Sequence, residues 1–237
     1  MSHFFKELAY RKTPIGELSL RLRRELTLDL DIYEIKLGEE FLMSSLFTAS
    51  EIALADLSLA DLPGDKLDVV VGGLGLGYTA DAVLKHDKVG SLIVIDMLEA
   101  VIDWHREGIL PLGPELMADP RCRFHLGDFF QLAASEQGFD PEISGRRFDA
   151  ILLDIDHSPE FLLSPANAAF YTQDGLASLA THLKPDGVFG LWSNDLPDKT
   201  FTEILKTSFA RATPTTVTFH NPLQNADFTQ TIYRACK

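Results

Sequence analysis

Cysteine is scarce in this chain, and the little there is stands badly for covalent or metal chemistry. Its two cysteines, Cys122 and Cys236, form no Cys-x-x-Cys pair and no Cys/His cluster. A disulfide framework and a thiolate zinc site are thereby excluded, and a reducing compartment fits. Long apolar runs are missing too: no stretch approaches the roughly 20 residues of a spanning helix. Residues 1–10 carry Lys6 and Glu7 and lack an apolar core, so they do not read as a signal peptide. The expectation is a cytoplasmic chain with no membrane contact.

Positive charge is also in short supply. Lys and Arg number 21 against 35 Asp and Glu, a formal net charge of −14. Such a surface repels phosphate backbones, which argues against DNA or RNA as partners and suits a cationic one. Arg21 and Arg23 alternate with Leu18, Leu20 and Leu22, the pattern of a strand with one wet face. His3, His86, His105, His125, His182 and His220 have no metal-ligand spacing and read as surface or helix-packing residues.

What is present is 237 residues, 46% of them hydrophobic, enough for one large domain with its own core. Two rhythms divide it. Within residues 1–48, the stretch 14–48 shows alternating strands and a Gly38-Glu39-Glu40 turn, a small β-hairpin appendage too short to bury a core alone. Residues 49–237 open with a helix at 50–59 and then alternate strand and helix. Strands are predicted at 67–71, 92–95, 123–126, 150–153 and 188–192, with helices at 78–85, 99–106, after Asp128, and at 174–183. Runs such as Val69-Val70-Val71 are apolar on both faces, as in a parallel sheet covered on both sides. Late strands at 215–219 and 229–233 would close an edge. The fold class is α/β, a doubly wound Rossmann-like, mostly parallel sheet, with its ligand at the carboxyl ends of the strands.

The first strand runs into Gly72-Gly73-Leu74-Gly75-Leu76-Gly77 and then a helix. Glycines let backbone N–H groups come close to a ligand. Asp96 ends the next strand, where a carboxylate accepts both ribose hydroxyls of a nucleoside cofactor. Gly127-Asp128-Phe129 follows the third strand: Asp128 can take an adenine amino group, with Phe129 over the ring, or cap the next helix. That third element favours an S-adenosyl donor over NAD, which would leave it unexplained. At the end of the fourth strand Asp154, Asp156 and His157 crowd together. An alkylamine acceptor must lose a proton, and Asp154 is the best base or amine anchor, with His157 the alternative. Tyr171, Trp192 and Asp195 lie on adjacent exits and are further substrate candidates.

These residues resemble the polyamine aminopropyltransferases, the spermidine synthase family, from about Tyr33 to Gly190. The resemblance rests on the hairpin, the Gly-Gly loop, Val-Ile-Asp96, Gly127-Asp128, Phe148-Asp149-Ala-Ile-Leu-Leu-Asp154, Phe170-Tyr171-Thr172 and Leu183-Lys-Pro-Asp-Gly187. It implies a methyltransferase-like fold binding decarboxylated S-adenosylmethionine and passing its aminopropyl group to a diamine. Asp96 would hold the ribose, Asp128 the adenine and Asp154 the acceptor amine; a homodimer through the β appendage is implied as well. Four positions depart from the family pattern. Gly75 stands where the family has an acid, and Met43 or a neighbour where it has a glutamine. A Tyr-His pair is missing from the apolar stretch 52–55, and Asp154-Ile-Asp156-His157-Ser158-Pro159 replaces a shorter gate. Without the loop acid, intact S-adenosylmethionine is expected to bind at least as well as the decarboxylated form, so methyl transfer rivals aminopropyl transfer. Two alternatives remain: a cation-dependent O-methyltransferase holding a metal on Asp154, Asn194 and Asp195, and a cofactor-binding module without chemistry.

Overall fold

The computed structural model describes residues 4–13 and 15–237, so His3 and the start of the N-terminal segment lie outside it. Leu18 and Leu20 alternate inward and bury completely, which makes one face of the N-terminal sheet a floor for the helix that succeeds it. That sheet is antiparallel, with β1 (Phe5–Thr13), β2 (Gly16–Glu25), β3 (Leu30–Leu37) and β4 (Glu40–Ser44) in sequence order. On the opposite face Arg23 pairs with Glu25 at 2.7 Å and Glu34 at 3.1 Å, but the face is not the wet one expected, since Ser19, Ile32, Glu34 and Lys36 on it are buried. The appendage is thus a four-stranded sheet, not a hairpin. Strand β1 was not anticipated, because at the sheet edge its side chains are mostly exposed and carry no hydrophobic alternation.

Helix α1 (Ala49–Leu59) joins this sheet to the main one. Leu54 and Leu59 are fully buried in one apolar cluster that also holds Leu18, Leu20 and Ile35 of the N-terminal sheet and Val69, Leu152 and Ile232 of the main one. The main body then runs β5 (Leu67–Gly72), α2 (Tyr78–Leu84), β6 (Val89–Asp96), α3 (Glu99–Arg106), α4 (Gly113–Ala118), β7 (Cys122–Leu126), α5 (Phe129–Ala134) and β8 (Phe148–Leu153). A 3-10 helix (Pro165–Tyr171) comes next, then α6 (Gln173–Thr181), β9 (Leu183–Ser193), α7 (Lys199–Ser208), β10 (Arg211–Asn221) and β11 (Ala226–Cys236).

The seven-stranded sheet has the order β10-β11-β9-β8-β5-β6-β7. Strands β5 to β9 are parallel, and β11 and β10 close the edge in antiparallel fashion. Alternation across β5 explains the double burial: Val69 and Val71 join the cluster under α1 to α3, while Val70 joins the one under α5 and α6. Each predicted strand and helix of the main body is present, most strands extended by a few residues. Helices α4 and α7 were not foreseen. Helix α7 is capped by Asp198, whose carboxylate accepts from Phe201 N at 2.6 Å, and it buries Phe201 and Leu205. The chain reverses its winding between β5 and β8, and that switch point opens a crevice at the carboxyl ends of the strands. No helix among the described residues is long and apolar enough to cross a membrane.

Since Leu54 is fully buried and packs α1 against Gly190 of β9, its truncation leaves a cavity in the core that the sheet does not collapse to fill. Leu54→Ala is expected to lower unfolding free energy by about 2–5 kcal/mol, measured by urea denaturation.

Candidate functional site

The crevice is a cavity of about 540 Å³ bounded by the glycine loop, the ends of β6 to β9, the first turn of α1 and the N-terminal sheet. Its tightest point lies at the loop. Gly73 has φ +97°, and a Cβ there would sit 2.1 Å from the carbonyl oxygen of Asp154. Only glycine fits both the conformation and the space. Gly72 abuts the Phe129 ring, and its carbonyl accepts from Asp154 N at 2.8 Å. Gly77 caps α2. Gly75, at φ +46°, faces the Met43 sulfur, which also accepts from Leu76 N at 2.7 Å. Its carbonyl meets Nε2 of buried His105 at 2.9 Å, so α3 clamps the loop from behind. Burial pushes the His105 imidazole down to about 4, keeping it neutral at pH 7.

Asp96 ties the loop to β6. Its carboxylate accepts from Leu74 N at 3.0 Å and Leu98 N at 2.8 Å. Burial raises its pKa and these backbone donors oppose the rise. Asp128 also lines the cavity and caps α5, accepting from Phe130 N at 2.9 Å and Gln131 N at 3.3 Å. Both readings of Asp128 therefore remain compatible. Phe129 reaches the cavity wall but is 2% exposed and stacks on Phe139 at 4.9 Å, so most of its ring belongs to the core. Phe130 lines the same part of the wall.

Asp154 stands at the centre. Thr79 donates to its carboxylate at 2.6 Å, and Glu51 from the first turn of α1 lines the same wall. Burial pushes Glu51 up to about 8, with the charge of Asp154 adding to the rise. Burial likewise pushes Asp154 up to about 6, against the pull of the Thr79 hydroxyl. The two carboxyls share one desolvated neighbourhood and hold a proton between them near neutrality.

The structure separates the remaining candidates. His157 and Trp192 line the cavity. His157 Nε2 meets Glu40 of β4 at 3.0 Å, and Trp192 donates to Gln230 at 3.2 Å. Asp156 and Tyr171, expected to face substrate, do not line the cavity. The Asp156 side chain is 1% exposed and accepts from Leu163 N at 2.7 Å, Asn167 at 2.9 Å and the Tyr171 hydroxyl at 2.9 Å. This knot shapes the loop after β8 and so places His157 and Ser164 on the wall. Asp195 is exposed beyond the cavity, while its neighbour Asn194 lines it. The Asp154, Asn194 and Asp195 triad is therefore not assembled around one point, and no group of three or more His, Cys, Asp or Glu among the described residues is placed to hold a metal ion. Glu51, Thr79 and Gln230 escaped the sequence reading. An acid in a first helical turn ordinarily answers the helix dipole, so Glu51 carries no signal of its own.

A family model for the spermine/spermidine synthase domain matches residues 48–212. A polyamine aminopropyltransferase of Leptospira biflexa serovar Patoc is 28% identical over 135 residues, covering 57% of this chain and 43% of that protein. Polyamine aminopropyltransferase 2 of Bacillus cereus is 28% identical over 148 residues, covering 62% and 37%. The chain thus spans less than half the length of these curated relatives. The crystal structure of spermidine synthase from Thermotoga maritima superposes with a TM-score of 0.70 at 17% identity, over 98% of this chain and 72% of that one, a likeness of fold.

A raised folded-state pKa means stability that is present at low pH and lost as pH rises through the folded value. Glu51 should thus cost stability between about pH 4.5 and 8, at most about 1.4 kcal/mol per pH unit. Urea midpoints at pH 5, 6.5 and 8 should fall more steeply for the wild type than for Glu51→Gln; parallel profiles would place Glu51 in water.

Proposed function

Because the chain belongs to the spermine/spermidine synthase family, we propose that it transfers the aminopropyl group of decarboxylated S-adenosylmethionine to an amine. The observation that carries this reading is the charge layout of the cavity. Asp96 and Asp128 lie at the ends of β6 and β7, beside the glycine loop, and Glu51 and Asp154 lie beyond it. The nucleoside takes the first end, with Asp96 at the ribose and Asp128 at the adenine. The aminopropyl arm then points toward the two carboxyls. Gly75 supplies no charge to that arm, which from sequence alone favoured intact S-adenosylmethionine. Glu51 supplies it from α1 instead: facing the ammonium of the decarboxylated donor it gives up its proton and becomes the counter-charge, whereas the carboxylate of the intact donor would oppose that ionisation.

The chemistry is an in-line displacement in which charge is dispersed. The acceptor nitrogen forms a bond to the methylene carbon beside sulfur, the C–S pair returns to sulfur, and a neutral thioether nucleoside leaves. The enzyme must align the partners and exclude water. A free alkylamine has a pKa near 10.4, so neutralising it at pH 7 costs roughly 4–5 kcal/mol. Asp154, within the cavity and raised toward neutrality, is suited to take that proton. His157, occupied by Glu40, is the weaker base candidate. The homodimer that the family resemblance implies, formed through the N-terminal sheet, would cover the exposed Phe5 of β1.

Incubation with either donor and an amine panel, scored by mass, tests the reaction: an aminopropyl gain is expected, and a methyl gain alone would overturn it. Asp96→Ala should weaken donor binding about tenfold to a hundredfold by calorimetry, the loss of a charged acceptor. Asp154→Asn should leave donor affinity within a few-fold and cut turnover by about 10²–10⁴. Full turnover in that variant would move the proton to His157.

A further inference from the structure

We infer that Thr79 is a positioning residue for the transfer: its hydroxyl keeps Asp154 the anion of the carboxyl pair and leaves one carboxylate oxygen free for the acceptor nitrogen. This inference rests on the transfer reading above and concerns how that site is prepared. Thr79 lies in the first turn of α2, is 3% exposed and donates to Oδ2 of Asp154 at 2.6 Å. Its branched side chain is stiff about the Cα–Cβ bond. A helical threonine can turn its hydroxyl back to the carbonyl four residues earlier, here that of Gly75, but His105 already engages that group at 2.9 Å. Among the described residues nothing donates to Oδ1, so this oxygen is left to meet the substrate.

The glycine loop offers Asp154 no second donor, because its N–H groups are spent. Gly73 N donates to Ile95 O, Leu74 N to the Asp96 carboxylate, Leu76 N to the Met43 sulfur and Gly77 N to Leu74 O. The N–H of Asp154 itself goes to Gly72 O. The titratable groups that share the cavity are Glu51 of α1, Tyr78 of α2, Asp96 and Asp128 after β6 and β7, and His157 beyond β8. Asp96 and Asp128 accept backbone N–H groups, His157 meets Glu40, and Tyr78 faces Ser45 and Glu51. Glu51 has only its own N–H to steady a negative charge. The unequal donors sort the proton that the pair shares: Glu51, at about 8, holds it, and Asp154, at about 6, is the anion. Without the hydroxyl, Asp154 keeps a proton to higher pH and is lost as a base at the acid end.

Rates of aminopropyl transfer from decarboxylated S-adenosylmethionine to putrescine or spermidine, measured from pH 5 to 9, provide the test. Thr79→Val and Thr79→Ala both lack the hydroxyl. In each, the acid limb of kcat/KM should move up by about 0.5–1 pH unit, a threefold to tenfold loss at pH 5 that closes by pH 8.5. Thr79→Ser, which keeps the hydroxyl, should follow the wild type. A second readout needs no turnover: the Asp154 carboxyl carbon, followed by NMR in a Glu51→Gln background and identified by its absence in Asp154→Asn. Its titration should also move up in Thr79→Val and Thr79→Ala. A loss uniform across pH, an unmoved titration, or Thr79→Ser behaving like Thr79→Val would overturn the inference and leave aminopropyl transfer standing. If neither amine gains an aminopropyl group yet the Asp154 titration still moves, the transfer reading fails and the assignment of Thr79 survives.

Discussion

Residue 73 and the backbone of Asp154 approach so closely that no side chain fits between them. That contact holds the glycine loop of β5 against the end of β8, the two strands between which the sheet changes direction. A Cβ at position 73 would have to push the loop away from Asp154, opening the floor of the cavity. The same closeness brings Thr79, at the start of the following helix, within 2.6 Å of the Asp154 carboxylate. His105 and Met43 then grip Gly75 and Leu76 from opposite elements, α3 and β4, so the loop is fixed from several sides before any ligand arrives. Preorganisation of this kind spares a ligand the entropy of ordering its own site.

Around this fixed floor the two sheets do different work. The parallel sheet delivers a row of strand ends, each with one polar residue: Asp96, Asp128, Asp154 and Asn194. The N-terminal sheet delivers apolar cover, and α1 brings Glu51 across to face Asp154. Desolvation under that cover keeps the carboxyl pair partly protonated near neutral pH. A site that can hold a proton and still attract a cation is suited to amine chemistry.

Most of the main sheet was legible because its strands are short, apolar on both faces and separated by helical stretches. The glycine loop, Asp96 and Asp128 were legible for the same reason, since they sit at fixed offsets from those strands. The loop after β8 was not. Asp154-Ile-Asp156-His157 looks in sequence like one cluster, yet the chain turns so that Asp154 and His157 meet the cavity and Asp156 turns away to Asn167 and Tyr171. Spacing gives no hint of which carboxylate faces inward when the backbone is irregular. Glu51 was hidden for a different reason: it reaches the site through packing of α1 against α2 and the main sheet, a tertiary effect with no local pattern. Strand β1 was missed because an edge strand with mostly exposed side chains shows no alternation.

In the proposed reaction a carboxylate from α1 replaces the charge that Gly75 lacks and selects the donor. The most direct measurement of this selection is the pair of dissociation constants for decarboxylated and intact S-adenosylmethionine, taken at one salt concentration on the wild type and on Glu51→Gln. The wild type is expected to prefer the decarboxylated donor at least tenfold, and the variant to lose most of that preference. Equal affinities in the wild type, or a preference that survives in Glu51→Gln, would contradict it.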